Sequence, residues 1–464
     1  MAAESDTVGA DTINGRYKAA AVAAAAAISL SPRLRSPLDL QPFLLPPTPP
    51  LVTTLPPAIS CSYIGEGSAN AVFCVTPKKK NLSKSSSKSS APGSHNIPSN
   101  DSDAGSLSTH LLRIPKAGPG VGAGTCLDHH AYYSSVLRPL IGTEWLVGQH
   151  LVQGIISRGV QSTLNDLLEN LDRSGRRRPD WVGTRISPDV DVALLVEDMT
   201  LACNKSLHPS TTTTVQFKPK WLVQSPSAPA GARRCRTCAL SAASASPSTS
   251  SSTKGNGRKN SNGPKTTQGR SSSGPEKSHK IKPCPIVLVA DPPKTAAEEA
   301  DLDAALWEYV YQHLGSAVSS QSSSPNSSTP LSPSTTFLLL KTRPAIIRWM
   351  RTTNLFRRIA AIQAEHDPHG ALAVDLADDV TSLDRLQTAM TLRDCTCFLR
   401  VTVSESSSEV SISAKLGDLD RKDGRRKLAR WQAQERALLD GGFYLCTEEP
   451  RQQTNCWFER RRGH

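Results

Sequence analysis

Apolar and polar positions alternate over residues 395–403 (CTCFLRVTV) and again over 410–416 (VSISAKL), and the polar run SESSSE joins them. This pattern predicts a β-hairpin. A strand, glycine turn and strand are expected from Ser62 in SYIGEGSANAVFCV, a strand at LLRIPK, and a buried strand over residues 189–197 (DVDVALLVE). Helical spacing runs after RPLIG through Trp145, Leu146, Leu151 and Ile155. Further helices are expected over residues 295–314, 345–365 and 425–439, the last with Leu428, Trp431, Leu438 and Leu439 on its apolar side. The mixture predicts an α+β fold.

Between these elements the hydrophobic pattern disappears. Residues 1–58 form an Ala/Pro-rich extension with PPTPP and LPP, and Ser/Pro/Lys-rich tracts occupy about 78–107, 241–282 and 319–334. Such composition cannot bury enough apolar surface to order itself, so all four segments are expected to be disordered. Chemistry-bearing segments lie on both sides of the tracts, which therefore read as insertions in one fold. The ordered part is roughly 300 residues, the size of a two-lobed enzyme. The first lobe is expected over residues 59–197 and the second over 198–464. Hydrophobic content is 38%, and 54 Lys and Arg against 41 Asp and Glu give a net charge of +13. That charge calls for an anionic partner, whether nucleic acid, an acidic membrane or a polyphosphate. The Ala-rich run at residues 19–30 follows Glu4, Asp6 and Asp11, which suit no secretory leader, and no apolar run reaches transmembrane length. Among eleven irregularly spaced cysteines, Cys61, Cys74, Cys395 and Cys397 read as reduced core residues of a soluble intracellular protein.

The predicted hairpin has Asp394 just before its first strand and Asp418 just after its second, which brings two carboxylates to one end of a small sheet. Kinases need that layout, with one carboxylate orienting and deprotonating the attacking hydroxyl and the other holding Mg²⁺ on ATP. Solvated flanking acids are the plainer alternative. Gly65 and Gly67 permit positive φ and close approach of a phosphate, although most such turns merely turn. Arg113 or Lys116 on LLRIPK could reach an ATP phosphate. The strand ending at Glu197 and Asp198 has the character of an interlobe hinge. Lys218 and Lys220 in VQFKPKW alternate along a strand and share one face, an arrangement suited to an anion between them or to a solvated edge. Lys422, Arg426 and Arg430 recur at intervals of four, on one face if the helix starts early. Cys235 and Cys238 have C-x-x-C spacing, but zinc generally needs four ligands and no second C-x-x-C or H-x₃₋₅-H pair is evident. Local packing or a redox-inert pair is the expectation.

Taken in order, YIGEGSAN, LLRIPK, RPLIG, LLVEDMTL, VQFKPKWLVQSPSAP with RRCRTCA, AMTLRDCTCFLRV and KLGDLDRK resemble the inositol-pentakisphosphate 2-kinases, the fungal branch in particular. The likeness runs from about Ser62 to Tyr444 without the serine tracts, and K-P-K-W, R-D-C-T and D-L-D-x-K are its specific pieces. It implies a two-lobed fold distantly like protein kinases and transfer of the ATP γ-phosphate to the 2-hydroxyl of inositol pentakisphosphate, giving phytate. It further implies Asp394 as base, Asp418 as Mg²⁺ ligand, and Lys218, Lys220, Lys422 and Arg426 on substrate phosphates. Gly65, Gly67, Ala69 and Asn70 would border the ATP, with Arg113 near its phosphates and Glu197 at the adenine. A monomer is expected, needing no membrane and no nucleic acid, in the nucleus or cytoplasm. A zinc site reported for some relatives cannot be assigned from this cysteine spacing.

Two rivals fit less well. The inositol polyphosphate multikinases carry P-x-x-x-D-x-K-x-G, whose second half Asp420 to Gly424 mimics, but Leu416 stands where the proline should. A non-catalytic nucleic-acid-binding protein would explain the charge but not the bracketing aspartates. Aromatic content of 5% offers no stacking platform for bases.

Overall fold

The computed structural model describes residues 52–56, 58–77, 107, 109–118, 121–122, 124–200, 211–246, 281–318, 333–376, 380–404 and 406–462. The basic cluster at residues 78–80, most of the N-terminal extension and most of the serine tracts lie outside these residues.

Two sheets organise the described chain. The first joins β1 (Val52–Thr54), β2 (Ile59–Glu66), β3 (Asn70–Pro77), β4 (His110–Pro115), β5 (Gln149–Gln153) and β6 (Val192–Glu197) in the order β1-β5-β6-β4-β3-β2. Only β1 and β5 run parallel; the other neighbours are antiparallel. Between β4 and β5 the chain forms α1 (Thr125–Tyr132), a π-helical turn at Tyr133–Leu137 and α2 (Arg138–Ile141). Helix α3 (Val160–Arg173) buries Val160, Leu164, Leu168 and Leu171, spaced to line one face of a 3.6-residue helix. That face joins Phe73 of β3, Leu112 and Ile114 of β4, Leu151 of β5 and Leu194 of β6 in one core.

The second sheet is antiparallel, β7 (Thr212–Phe217), β8 (Thr396–Val403) and β9 (Val410–Gly417), with β8 central. Every second residue of β8 is buried, and Cys397, Leu399 and Val401 are fully enclosed. Around it lie α4 (Arg236–Ala245), α5 (Ala296–Val318), α6 (Pro333–Thr352), α7 (Leu355–His366), α8 (Val380–Leu392), α9 (Gly424–Asp440) and α10 (Trp457–Arg462). The core of this part contains Leu306 and Tyr309 of α5, Ile346 of α6, and Phe356 and Ile359 of α7. Tyr132, Leu137, Ile141 and Leu146, which lie between β4 and β5 in the chain, also pack here. Leu146 bridges Leu416 of β9, and the Val147 amide donates to the Leu416 carbonyl at 2.9 Å, so backbone bonds tie the two parts together.

The mixed α+β architecture, the hairpin and the strands around the glycine turn stand as expected, with several local differences. Residues 52–54, placed in a disordered extension, are a strand, because β5 offers an edge and Leu55 finds a buried site at 1% exposure. Leu151 lies on β5 rather than a helix; Gly142 and Gly154 hold positive φ of 96° and 100° and break the apparent periodicity. The helix expected over 345–365 is two helices parted at Thr353 and Asn354, and α4 runs to Ala245, into the expected serine tract. Among the cysteines read as thiols, Cys395 and Cys397 are so, whereas Cys74 is disulfide-bonded, a pairing that spacing does not reveal. Among the described residues no helix is long and apolar enough to cross a membrane.

If β1 belongs to the fold, truncating Leu55 leaves a cavity. Leu55→Ala should lose about 2–5 kcal/mol in urea unfolding, the usual range for a buried leucine. An unchanged midpoint would return residues 52–55 to a solvated extension.

Candidate active site

In the hairpin register Thr396 faces Gly417, so the residues just outside the pair, Asp394 and Asp418, emerge at the same end of the sheet. Asp394 follows α8 in a turn closed by its amide on the Thr391 carbonyl at 3.1 Å. Asp418 leaves β9 with φ of 56°, a left-handed conformation that few residues other than glycine adopt and that turns the chain back on itself.

Three lysines converge on Asp394. Lys218 Nζ donates to its carbonyl at 2.6 Å and to Oδ1 at 3.2 Å, and also to Asp418 Oδ2 at 2.9 Å. Lys220 Nζ reaches Oδ1 at 3.3 Å, and Lys422 Nζ reaches Oδ2 at 2.8 Å. Burial alone would raise the Asp394 pKa, but Lys422 first, then Lys218 and Lys220, hold it well below the carboxylate range. Lys218 is pushed up because its two carboxylates outweigh burial, whereas burial, with Lys218 adding, pulls Lys220 down despite Asp394. The two lysines do not share a strand face as expected. β7 ends at Phe217, and their ammonium groups converge because Lys220 takes φ of 60°. Tyr309 Oη and Gln363 Nε2 hold this bend by donating to the Lys218 and Lys220 carbonyls, at 3.2 and 2.9 Å.

The next residue, Trp221, anchors the bend. The Arg393 guanidinium lies 3.4 Å and that of Arg236 4.3 Å from its ring centroid. Arg393 bonds Asp367 at 2.6 Å and Arg236 bonds Glu435 at 3.0 Å. Burial still brings Arg393 down to about 10, so its environment costs free energy that the ring and Asp367 only partly offset. The K-P-K-W, R-C-R-T-C and R-D-C-T segments therefore meet at one indole.

From the first sheet, Arg113 forms a two-pronged ion pair with Asp420 and lies 4.0 Å from Asp418. Asn70 Nδ2 donates to Asp420 at 3.3 Å, and His129 lies 3.6 Å from it. Burial works against ionised Asp420, but Arg113 prevails and holds its pKa well below the usual range. Neither Gly65 nor Gly67 has positive φ, contrary to the reason given for them, and the Gly67 amide closes the turn onto Asn70 at 2.8 Å. What the glycines provide is room, since a Cβ on either would meet nothing within 4 Å. Glu66 between them is buried against Arg177 and Lys116, at 2.7 and 3.0 Å, so Lys116 is committed to the core of the fold. The Glu197 carboxylate bonds Lys415 of β9 at 2.6 Å and the Gly148 amide at 3.1 Å, tying β6 to the second sheet.

The profile of a family described as inositol-pentakisphosphate 2-kinase matches residues 63–437, well over half of the chain. The chain belongs to this family. An inositol-pentakisphosphate 2-kinase of Yarrowia lipolytica is 26% identical over 243 residues, covering 52% of this chain and 56% of the relative, so the chain spans little more than half the relative's length.

In this family member the helix after the hairpin begins at Gly424, capped by Asp423, whose Oδ1 accepts from the Arg426 amide at 3.1 Å. Lys422 thus precedes the helix and shares no helical face with Arg426 and Arg430; it reaches Asp394 from the preceding loop. Arg426 is exposed on the first turn. Lys427, which the sequence did not single out, lies close enough to Lys422 and Asp394 for both to act on its charge. The larger omission concerns Cys235 and Cys238. Cys284 and Cys456 join them, and the four Sγ atoms lie within 4.8 Å of one another. A ligand search confined to short spacings does not find partners so far along the chain.

The two aspartates of DLD should respond differently. Asp420→Ala leaves Arg113 enclosed without its partner and should lose about 3–5 kcal/mol. Asp418, whose side chain is 46% exposed, should cost no more than about 1 kcal/mol on the same change. Because Asp394 and Asp420 are both held below the ordinary carboxylate range, the unfolded chain binds more protons than the folded one in acid. Their stabilisation is complete above about pH 4 and fades as pH falls further. Urea titrations from neutral to acid pH should show this fade, weakened in Asp420→Asn.

Proposed function

We propose that the protein is an ATP-dependent kinase that phosphorylates the 2-hydroxyl of inositol 1,3,4,5,6-pentakisphosphate to give inositol hexakisphosphate, phytate, on a two-lobed kinase-like scaffold. The observation that carries this reading is the convergence of Lys218, Lys220 and Lys422 on the single carboxylate of Asp394, beside Asp418. Family membership supports it over a nucleic-acid-binding protein and over the multikinase group.

The lysines link substrate binding to catalysis. Asp394 and Asp418 offset two of their three charges. A substrate carrying five phosphates competes for the same ammonium groups, and each close pair is worth about 4 kcal/mol at an effective dielectric near 20, before desolvation. As the lysines turn to phosphate, Asp394 loses the cations that depress its pKa. It then becomes a better acceptor for the hydroxyl proton. Asp418, half-exposed and oxygen-bearing, suits Mg²⁺, and Mg-ATP supplies the phosphoryl group and offsets its negative charge. Gly65, Gly67, Ala69 and Asn70 leave the open border for the nucleotide, with Arg113 near its phosphates. The adenine would meet the backbone beyond β6, since the Glu197 carboxylate is engaged by Lys415. Arg426 would extend toward peripheral substrate phosphates. The reading is of a monomer that uses neither membrane nor nucleic acid, in the nucleus or cytoplasm.

Phosphate transfer from ATP, assayed with and without inositol pentakisphosphate, tests the activity directly; no dependence on the inositol phosphate would overturn it. Asp394→Asn keeps the shape but not the base, so kcat should drop about 10²–10⁴-fold with ATP affinity little changed. Near-normal turnover would remove Asp394 from the chemistry. Lys220→Ala should weaken inositol pentakisphosphate binding by about 1–3 kcal/mol, and the variant's binding should fall further with salt because the remaining attraction is still electrostatic, while ATP binding by calorimetry stays level. The opposite pattern would move the lysine pair to the nucleotide.

A further inference from the structure

The glycine turn between β2 and β3 is held by more than its strand ladder. The pairing of β2 with β3 takes in one extra residue between Tyr63 and Gly65, so the ladder alone leaves the turn loosely placed. The Glu66 side chain is 0% exposed although the residue as a whole is half-buried, so what it shows to solvent is main chain. Its carboxylate faces into the fold. There it accepts from Tyr63 Oη and Lys116 Nζ, each at 3.0 Å, and from Nε and Nη2 of Arg177, each at 2.7 Å. Lys116 grips the turn twice, since its amide also donates to the Ala69 carbonyl at 2.8 Å.

Arg177 lies past the end of α3 and has no part in the proposed phosphoryl transfer itself. Its side chain is 0% exposed, and every N–H of the guanidinium has an acceptor. Besides Glu66, these are Asp172 Oδ1 at 2.9 Å and the Thr184 carbonyl and Oγ1 at 3.1 and 2.8 Å. Asp172 also accepts from the Gly183 amide at 3.1 Å and from Arg185 at 2.8 Å, which closes residues 172–185 into one base under the turn. A buried ion cluster recovers little net free energy after desolvation, and apolar side chains of like volume can often replace it without loss. What a two-pronged guanidinium–carboxylate pair adds is direction, because both N–H groups must meet the carboxylate oxygens at once. Burial alone would raise the Glu66 pKa, but Arg177 and then Lys116 hold it below the ordinary range and keep the pair charged.

We propose that Arg177 is a positioning residue for ATP: it holds the Glu66 carboxylate inward and thereby fixes the exposed main chain of the glycine turn at the nucleotide border. The inference rests on the kinase reading above. A turn fixed in advance loses less freedom when the nucleotide arrives, so the benefit appears as ATP affinity. Asp394 is held by Lys218, Lys220 and Lys422, none of which contacts Glu66 or Arg177, so the proton transfer does not draw on this brace.

Arg177→Lys keeps the charge but loses the second prong. In the full chain it should raise the KM for ATP, and the ATP Kd from calorimetry, about tenfold, with kcat and inositol pentakisphosphate binding within about twofold of wild type. Val160→Ala serves as the control for lost stability, since it lies about 18 Å along α3 from Asp172. It should lower the melting temperature and leave the ATP constants unchanged. A folded Arg177→Lys protein that binds ATP as wild type does overturns the proposal, while wild-type turnover keeps the kinase reading intact. Equal loss of inositol pentakisphosphate binding marks a general disturbance and overturns it too. Wild-type protein that binds no ATP overturns both readings. Should Arg177→Lys fail to fold, hydrogen exchange on the wild type decides. The Gly67 and Lys116 amides, which close the turn on Asn70 and Ala69, should exchange slowly before ATP is added. Free exchange that only ATP suppresses would mean that the nucleotide orders the turn, and the brace would have no role.

Discussion

Trp221 sets the geometry on which the candidate site depends. Like charges at Lys218 and Lys220 can be held close only if the backbone between them is fixed, and that backbone ends at an indole contacted by Arg236 and Arg393. Each arginine is in turn tied to a carboxylate, Glu435 on α9 and Asp367 after α7. Buried ion pairs of this kind recover little net free energy after desolvation. Their value here is positional, since Arg393 directly precedes Asp394. A shift of the ring would move the carboxylate and its lysines together.

The same economy appears where the two sheets meet. Glu197 with Lys415, Arg113 with Asp420, and the Val147 amide with the Leu416 carbonyl all cross from the first sheet or its loops to β9 or the residues after it. The β9 strand and the DLD loop therefore carry both the carboxylate end of the hairpin and the contacts to the first sheet.

Two non-glycine residues with left-handed backbone, Lys220 and Asp418, belong to the candidate site, where Lys218 bonds the Asp418 carboxylate at 2.9 Å. Such conformations are disfavoured locally and persist only where the surroundings over-determine them. At Lys220 the surroundings are Gln363 and the Trp221 stack; at Asp418 they are the end of the β9 register and Lys218. The hairpin could continue straight past Asp418 at lower local cost, but its carboxylate would then leave the lysines.

Much of this could be read from the chain before any folding was considered. The strict alternation of residues 396–403 determined a half-buried strand and, with 410–417, placed Asp394 and Asp418 at one end, because pairing in a hairpin is local. The K-P-K-W and R-D-C-T segments named Lys218, Lys220 and Asp394, which the folded chain brings together. The tertiary structure alone decided how the pieces are used. It turned Lys218 and Lys220 together through a bend rather than a strand face, moved Lys422 off the helix, committed Glu197 and Lys116 to ion pairs, and added β1 to an open edge. Most of all, it gathered Cys284 and Cys456 to Cys235 and Cys238. Alternation and turn residues act between neighbours, so sequence order preserves them. Ion pairs, ring contacts and ligand sets form between side chains hundreds of residues apart, and nothing in their spacing records that they will meet.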